Sequence, residues 1–142
     1  ITWLFMIART RTIDEVRAYH EHIRKLIRVL LESEGKFSVC GEGVDGYDAI
    51  DEAQELKPDL IILDLAMPRM NGIQAASKIK SMLPNTPIIL LTSNQAALVY
   101  INVRVAGIDQ VIVKGGEMSI LADGIHNLLQ ATKARTVGHP TL

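Results

Sequence analysis

The sequence predicts an α/β domain, a parallel five-stranded sheet with helices on both faces. Two observations carry that expectation. Five short apolar runs alternate with longer segments of helical period. Two of the runs, Ile61-Ile62-Leu63 and Ile88-Ile89-Leu90-Leu91, are apolar without interruption, as strands covered on both faces require. Short connections and right-handed crossovers then make the strands parallel.

The elements follow in order. The first strand is expected at Trp3–Ile7, and the first helix carries a stripe of Val16, Tyr19, Ile23, Leu26, Ile27 and Leu30. Phe37–Glu42 forms the second strand. A helix from Gly46 to Leu56 follows and buries Ala49, Ile50 and Ala53. Asp59–Asp64 is the third strand. The third helix starts after Asn71, with Gln74 placed three residues on for a capping box, and turns Ile73, Ala76, Ile79 and Leu83 inward. Pro87–Thr92 is the fourth strand, followed by a helix over Gln95–Ala106. Asp109–Lys114 is the fifth strand, and a last helix from Glu117 carries Leu121, Ile125 and Leu128. The expected domain is 1–131, with 1–17 an atypical N-terminal segment. The stretch 132–142, which has no apolar period and contains Gly138 and Pro140, reads as a linker or tail.

Composition narrows the function classes. With 48% hydrophobic and 22% charged residues, the 142-residue chain has the makeup of one packed domain, not a disordered spacer. Fifteen basic residues against sixteen acidic ones leave no field for direct nucleic-acid or membrane-surface binding. No apolar stretch approaches the ~20 residues of a membrane span. Ile1–Ala8 is apolar but has no basic segment before it, so it reads as a strand and the expected location is cytoplasmic. Cys40, the one cysteine, cannot form an intramolecular disulfide and reads as a small buried hydrophobe. His20 and His22 are two apart on a helix and face different ways, and His126 and His139 are isolated.

The carboxyl ends of parallel strands share one edge, where ligands of such folds bind. Polar residues end four of the apolar runs: Glu42, Asp64, Thr92 and Lys114. Taken singly, a terminal aspartate is usually a turn residue, a threonine a β-branched filler and a lysine solvated. Together on neighbouring strands, Asp64, Thr92 and Lys114 combine a carboxylate nucleophile, a hydroxyl donor and a cation. That set can accept a phosphoryl group and hold its oxygens.

The residues Lys57-Pro58-Asp59-Leu60-Ile61-Ile62-Leu63-Asp64-Leu65-Ala66-Met67-Pro68, then Asn71-Gly72, resemble the core of response regulator receiver domains of two-component systems. Gly41-Glu42, Ala106-Gly107 and Lys114 fit as well, and Thr92 and Lys114 follow Asp64 at the family's separations of 28 and 50 residues. The resemblance runs over roughly His20 to Ala131. It implies a flavodoxin-like three-layer sandwich of strand order 2-1-3-4-5. It also implies that Asp64 is the phospho-acceptor, that Thr92 and Lys114 bind phosphate and switch, and that Asp64 and the Ala66 backbone carbonyl are metal ligands. The implied partner is a histidine kinase or phosphotransfer protein. On this reading the chain is a phospho-accepting signalling domain and not an enzyme beyond self-catalysed transfer to Asp64.

The chain departs from the family at its first strand. Counted back from Asp64 without gaps, the usual acidic pair that holds Mg²⁺ falls on Ala18 and Tyr19. With the strand at Trp3–Ile7, its end falls on Ala8-Arg9. Either register lacks the pair. Asp14 and Glu15 could stand in, although acidic residues at a helix start are commonly there for the helix dipole. A charge lost about 4 Å from the metal is worth about 4 kcal/mol at an effective dielectric near 20, so Mg²⁺ binding is expected to be weakened. The runner-up reading is therefore a phosphorylation-independent pseudo-receiver, an interaction module. Two more positions differ: Val111 stands where many receivers have a switch aromatic, and Gly115 follows Lys114.

Gly41-Glu42-Gly43-Val44-Asp45-Gly46 matches the dinucleotide-binding pattern G-x-G-x-x-G, but Glu42, Asp45 and Asp48 crowd the place of a pyrophosphate. Between Gln95 and Ala106 the only formal charge is Arg104. A helix apolar most of the way round is covered by something, either its own domain or a partner. Leu98, Tyr100, Ile101 and Arg104 are the expected dimer or output face, with a partner or a second copy of the chain the preferred cover.

Overall fold

The computed structural model describes residues 2–6, 25–29, 31–33, 38–93, 106–114 and 118–137. Five strands form one sheet: β1 (Thr2–Met6), β2 (Ser38–Gly43), β3 (Ile61–Asp64), β4 (Ile88–Thr92) and β5 (Gln110–Val113). They are hydrogen-bonded in the order β2-β1-β3-β4-β5, and every pair is parallel. Four helices are described: α1 (25–29 and 31–33), α2 (Gly46–Leu56), α3 (Gly72–Met82) and α4 (Met118–Val137).

The uninterrupted apolar strands explain the layering. Side chains alternate across a strand, so β3 and β4 supply both faces at once. Ile61, Leu63, Ile88 and Leu90 pack with Ala49 and Ala53 of α2 and Ala75, Ala76 and Ile79 of α3. Ile62, Ile89 and Leu91 pack on the opposite side with Ile27 and Leu31 of α1 and Leu121 and Ile125 of α4. Each such fully buried isoleucine or leucine contributes about 1.5–3 kcal/mol. The result is a doubly wound, three-layer domain whose central strands are sealed and whose strand tips are left to do chemistry.

The structure corrects several expectations. In α1 Ile27 is buried as expected, together with Leu31 one helical turn on, while Leu26 is 41% exposed; Val16, Tyr19, Ile23 and Leu30 lie outside the described residues. Ile50 and Ile73 are only partly buried; the buried residues of α2 and α3 are glycines and alanines together with Ile79. Cys40 is half-buried on β2, an edge strand, not enclosed. The last helix does not stop at Ala131 but continues to Val137. Alanine, lysine and arginine at 131–135 favour helix, and the stop signals Gly138 and Pro140 come only afterwards. The expected helix over Gln95–Ala106 lies outside the described residues except for Ala106, which is buried in the turn before β5.

Candidate functional site

The site is built by strand register. Asp64, the last residue of β3, pairs with Leu91, and Thr92, the last of β4, pairs with Val113. The ladder runs one residue further on each side: Leu65 N donates to Leu91 O at 2.8 Å, and Lys114 N donates to Thr92 O at 2.7 Å. These bonds bring the tips of β3, β4 and β5 to one edge with Asp64, Thr92 and Lys114 on it. The Lys114 ammonium is ion-paired to Asp64 Oδ2, and the other carboxylate oxygen, Oδ1, accepts from Ala66 N–H at 3.0 Å. Both side chains are almost wholly enclosed, at 1% exposure for Asp64 and 4% for Lys114. Thr92 is enclosed too, at 2%. A buried charge is tolerated only when it is paired and hydrogen-bonded, and this pair is both.

The loop after Asp64 closes on itself. Gly72 N donates to Leu65 O at 3.1 Å, and Met70 N to Pro68 O at 2.6 Å. Gly72 is required by close approach, because a Cβ there would stand 2.4 Å from Asp64 O and 2.7 Å from Leu90 Cδ1. Asn71 then caps α3 with the expected reciprocal box: its side chain accepts from Gln74 N at 2.9 Å, and Gln74 Oε1 accepts from Asn71 N at 3.1 Å.

A second carboxylate lies beside the loop. Asp45 is the N-cap of α2, 2% exposed, and accepts from Tyr47 N at 2.9 Å and Asp48 N at 3.1 Å. Its Oδ2 accepts from the Arg69 guanidinium, with Nε at 2.8 Å, and Arg69 also lies over the Tyr47 ring at 5.2 Å. Burial would raise the Asp45 carboxyl, but the Arg69 hydrogen bond, the two backbone N–H groups and the guanidinium charge outweigh it and hold the group below its ordinary value. Arg69 has φ +61°, a left-handed conformation that costs a non-glycine residue about 1–2 kcal/mol. The sequence reading missed this pair. Asp45-Gly46 at a helix start signals a cap, but nothing in the local sequence signals a partner 24 residues on.

The remaining expectations sort as follows. Glu42 does not join the strand-tip cluster; its carboxylate pairs with Arg28 of α1, with Nε at 3.0 Å. Val111 is partly buried against the α2–α3 side of the core. The G-x-G-x-x-G segment is no phosphate cradle. Gly41 and Gly43 lie in β2, and the first N–H groups of α2 are taken by Asp45's own carboxylate. Ala18, Tyr19, Asp14, Glu15, Leu98, Tyr100, Ile101 and Arg104 lie outside the described residues. Of the two first-strand registers, the sheet uses the earlier, with β1 at Thr2–Met6. The residues that follow it in sequence are Ile7, Ala8 and Arg9, with no carboxylate.

The family resemblance implies Mg²⁺ at these strand tips. Among the described residues no group of three or more histidine, cysteine, aspartate or glutamate side chains could hold a metal ion. Among the described residues Asp64 is the carboxylate at the tips of β3, β4 and β5, and it is ion-paired to Lys114. Mg²⁺ is usually held by one or two carboxylates together with substrate phosphate, and among the described residues Asp64 and the Ala66 backbone carbonyl would be its protein donors.

A doubly wound α/β domain with a carboxylate–ammonium pair at the carboxyl edge of its sheet is thus defined by the fold and site. The response regulator receiver domain family matches residues 19–126, and the chain belongs to that family. It is a receiver domain of the two-component signalling class. Over 106 residues it is 39% identical to the response regulator protein VraR of Staphylococcus saprophyticus and 38% identical to that of Staphylococcus aureus strain COL. Those matches take in 75% of this chain and 51% of each relative, so the chain spans about half the length of the curated relatives it matches. Among solved structures, a CheY-like response regulator receiver domain protein from Methanospirillum hungatei aligns with a TM-score of 0.78 at 17% identity, over 95% of this chain and 98% of that one. A LuxR-family two-component response regulator from Aurantimonas aligns at 0.76 and 22% identity, over 91% and 85%. At these identities the structural likeness establishes the fold. No described helix is long and apolar enough to cross a membrane.

Proposed function

We propose that this chain accepts a phosphoryl group on Asp64 from a histidine kinase or phosphotransfer protein and passes the signal on by conformational change. The single observation that carries the reading is the buried Asp64–Lys114 pair at the strand tips of a chain that belongs to the receiver family. In the transfer, an Asp64 carboxylate oxygen attacks phosphorus, an acyl phosphate bond forms, and the donor's bond to phosphorus breaks with the electron pair leaving on the donor. The carboxylate loses its charge as it is phosphorylated. The Lys114 ammonium then follows the negative charge onto the phosphoryl oxygens, and Thr92 offers its hydroxyl to another of them. The switch lacks an aromatic at Val111, so output runs through the segment 95–106 and α4. Leu98, Tyr100, Ile101 and Arg104 are assigned to the dimer or output face. The domain works in the cytoplasm and is no enzyme beyond this self-catalysed step.

With the usual acidic pair absent from the sequence in either first-strand register, the transfer is slow and only weakly dependent on Mg²⁺. The test is incubation with acetyl phosphate over a Mg²⁺ series, read by intact mass, with Asp64→Asn as the blank. A slow, D64N-sensitive gain of one phosphoryl group with little Mg²⁺ dependence is expected. Rapid stoichiometric modification at low Mg²⁺ would mean a complete metal site. No modification at any Mg²⁺ concentration would favour the phosphorylation-independent interaction module, which the missing carboxylate pair supports.

A further inference from the structure

We infer that Arg69 and Asp45 are a positioning pair for the phospho-acceptor, locking the loop that presents the Ala66 N–H to Asp64 onto the start of α2. The inference rests on the reading of Asp64 as phospho-acceptor and goes beyond it, since the pair is argued to act through the loop that follows Asp64. Three observations lead to it. First, the loop 65–72 is tied at its base: Leu65 to β4, Gly72 N to Leu65 O, and Ala66 N to Asp64 Oδ1. Its base is therefore fixed, but Arg69, near the far end, takes a conformation that glycine favours and arginine does not, with φ +61°. A residue held there against its preference is held by its contacts.

Second, those contacts reach an immobile partner. Asp45 is enclosed and already bound to two N–H groups of α2, so its remaining oxygen is a fixed acceptor. Arg69 meets it through Nε and Nη2 and covers the Tyr47 ring, two contacts that set the guanidinium's plane as well as its position. Third, the backbones confirm the closeness. A Cβ on Gly46 would stand 2.8 Å from Met70 Cβ and 2.9 Å from Met70 O, so the loop rests directly on the first residue of α2. The loop can thus move away from Asp64 only by breaking the pair or by dragging α2 with it.

Arg69 is 62% exposed, and Asn caps helices as well as Asp does, so Arg69→Gln and Asp45→Asn should both fold. The experiment measures two quantities in the whole chain: hydrogen exchange of the Ala66 amide by NMR, and the rate of modification by acetyl phosphate. In each variant, Ala66 exchange is expected to quicken about tenfold as the loop opens locally. The modification rate is expected to fall about tenfold from the misplaced donor. Arg69→Lys, which keeps the charge but not the fork, should recover part of both. Wild-type Ala66 exchange in either variant would overturn the inference, and so would wild-type modification rates in both. If the wild-type chain takes no phosphoryl group at all, it is the phospho-acceptor reading that fails. The exchange of Ala66 still decides whether the pair holds the loop.

Discussion

Lys114 reaches from just past β5 to the carboxylate of Asp64, a residue 50 positions earlier in the chain, and the two form an ion pair closed off from solvent. Removing one member of such a pair leaves an uncompensated buried charge. Lys114→Met is therefore expected to destabilise the domain by about 3–5 kcal/mol, whereas the double variant with Asp64→Asn should regain much of the loss. Urea unfolding of the two singles and the double closes the cycle. Additive losses would mean that the pair carries no coupling energy.

Gly72→Ala tests how closely the loop wraps the acceptor. The new methyl would meet Asp64 O and Leu90 Cδ1, and the backbone at the end of β3 would have to shift. A loss of about 1–3 kcal/mol is expected from overpacking, together with slower acetyl phosphate modification. Thermal melts and intact mass read the two effects separately.

The acid limb of stability should carry the signature of Asp45. Its folded carboxyl is held below the ordinary value of 3.8, so it contributes stability above that value and loses it as pH falls below about 4. Glu52 works in the opposite sense. Burial first, then Asp48, Glu55 and Glu42, raise its carboxyl, and protonating it relieves that penalty as pH falls. Asp45→Asn should therefore flatten the decline in stability between pH 4 and the acid limit. Urea midpoints across that range check it, and an unchanged slope would count against the role of the pair.

The capping box of α3 gives a smaller and more local prediction. Asn71→Ala removes the acceptor for Gln74 N at an exposed helix start and should cost about 1 kcal/mol. The urea midpoint should move while the slope of the transition does not.

How far the sequence carried the structure depends on the range of each interaction. The β3 and β4 runs announce their own burial, and Asn71 with Gln74 announces a helix start, because both signals lie within a few residues. Asp64, Thr92 and Lys114 could be grouped from sequence because parallel strands end at a common edge. Arg69 could not be paired with Asp45 that way, since the contact depends on a left-handed backbone that no glycine marks. The exposure of Leu26 was hidden for a related reason. Val29, Leu26, Ile27 and Leu31 are all apolar, so only packing decides which of them turn inward. The end of α4 went astray because a stretch without apolar period can still be helical by propensity alone.

The position of β1 has a practical consequence. It sits between β2 and β3, yet its residues precede the part of the chain that the receiver family matches. Trimming a clone to that matched stretch would discard an interior strand, not a loose end. β2 would lose its hydrogen-bonding neighbour, and β3 would become a raw border of the sheet with an apolar run open to self-association.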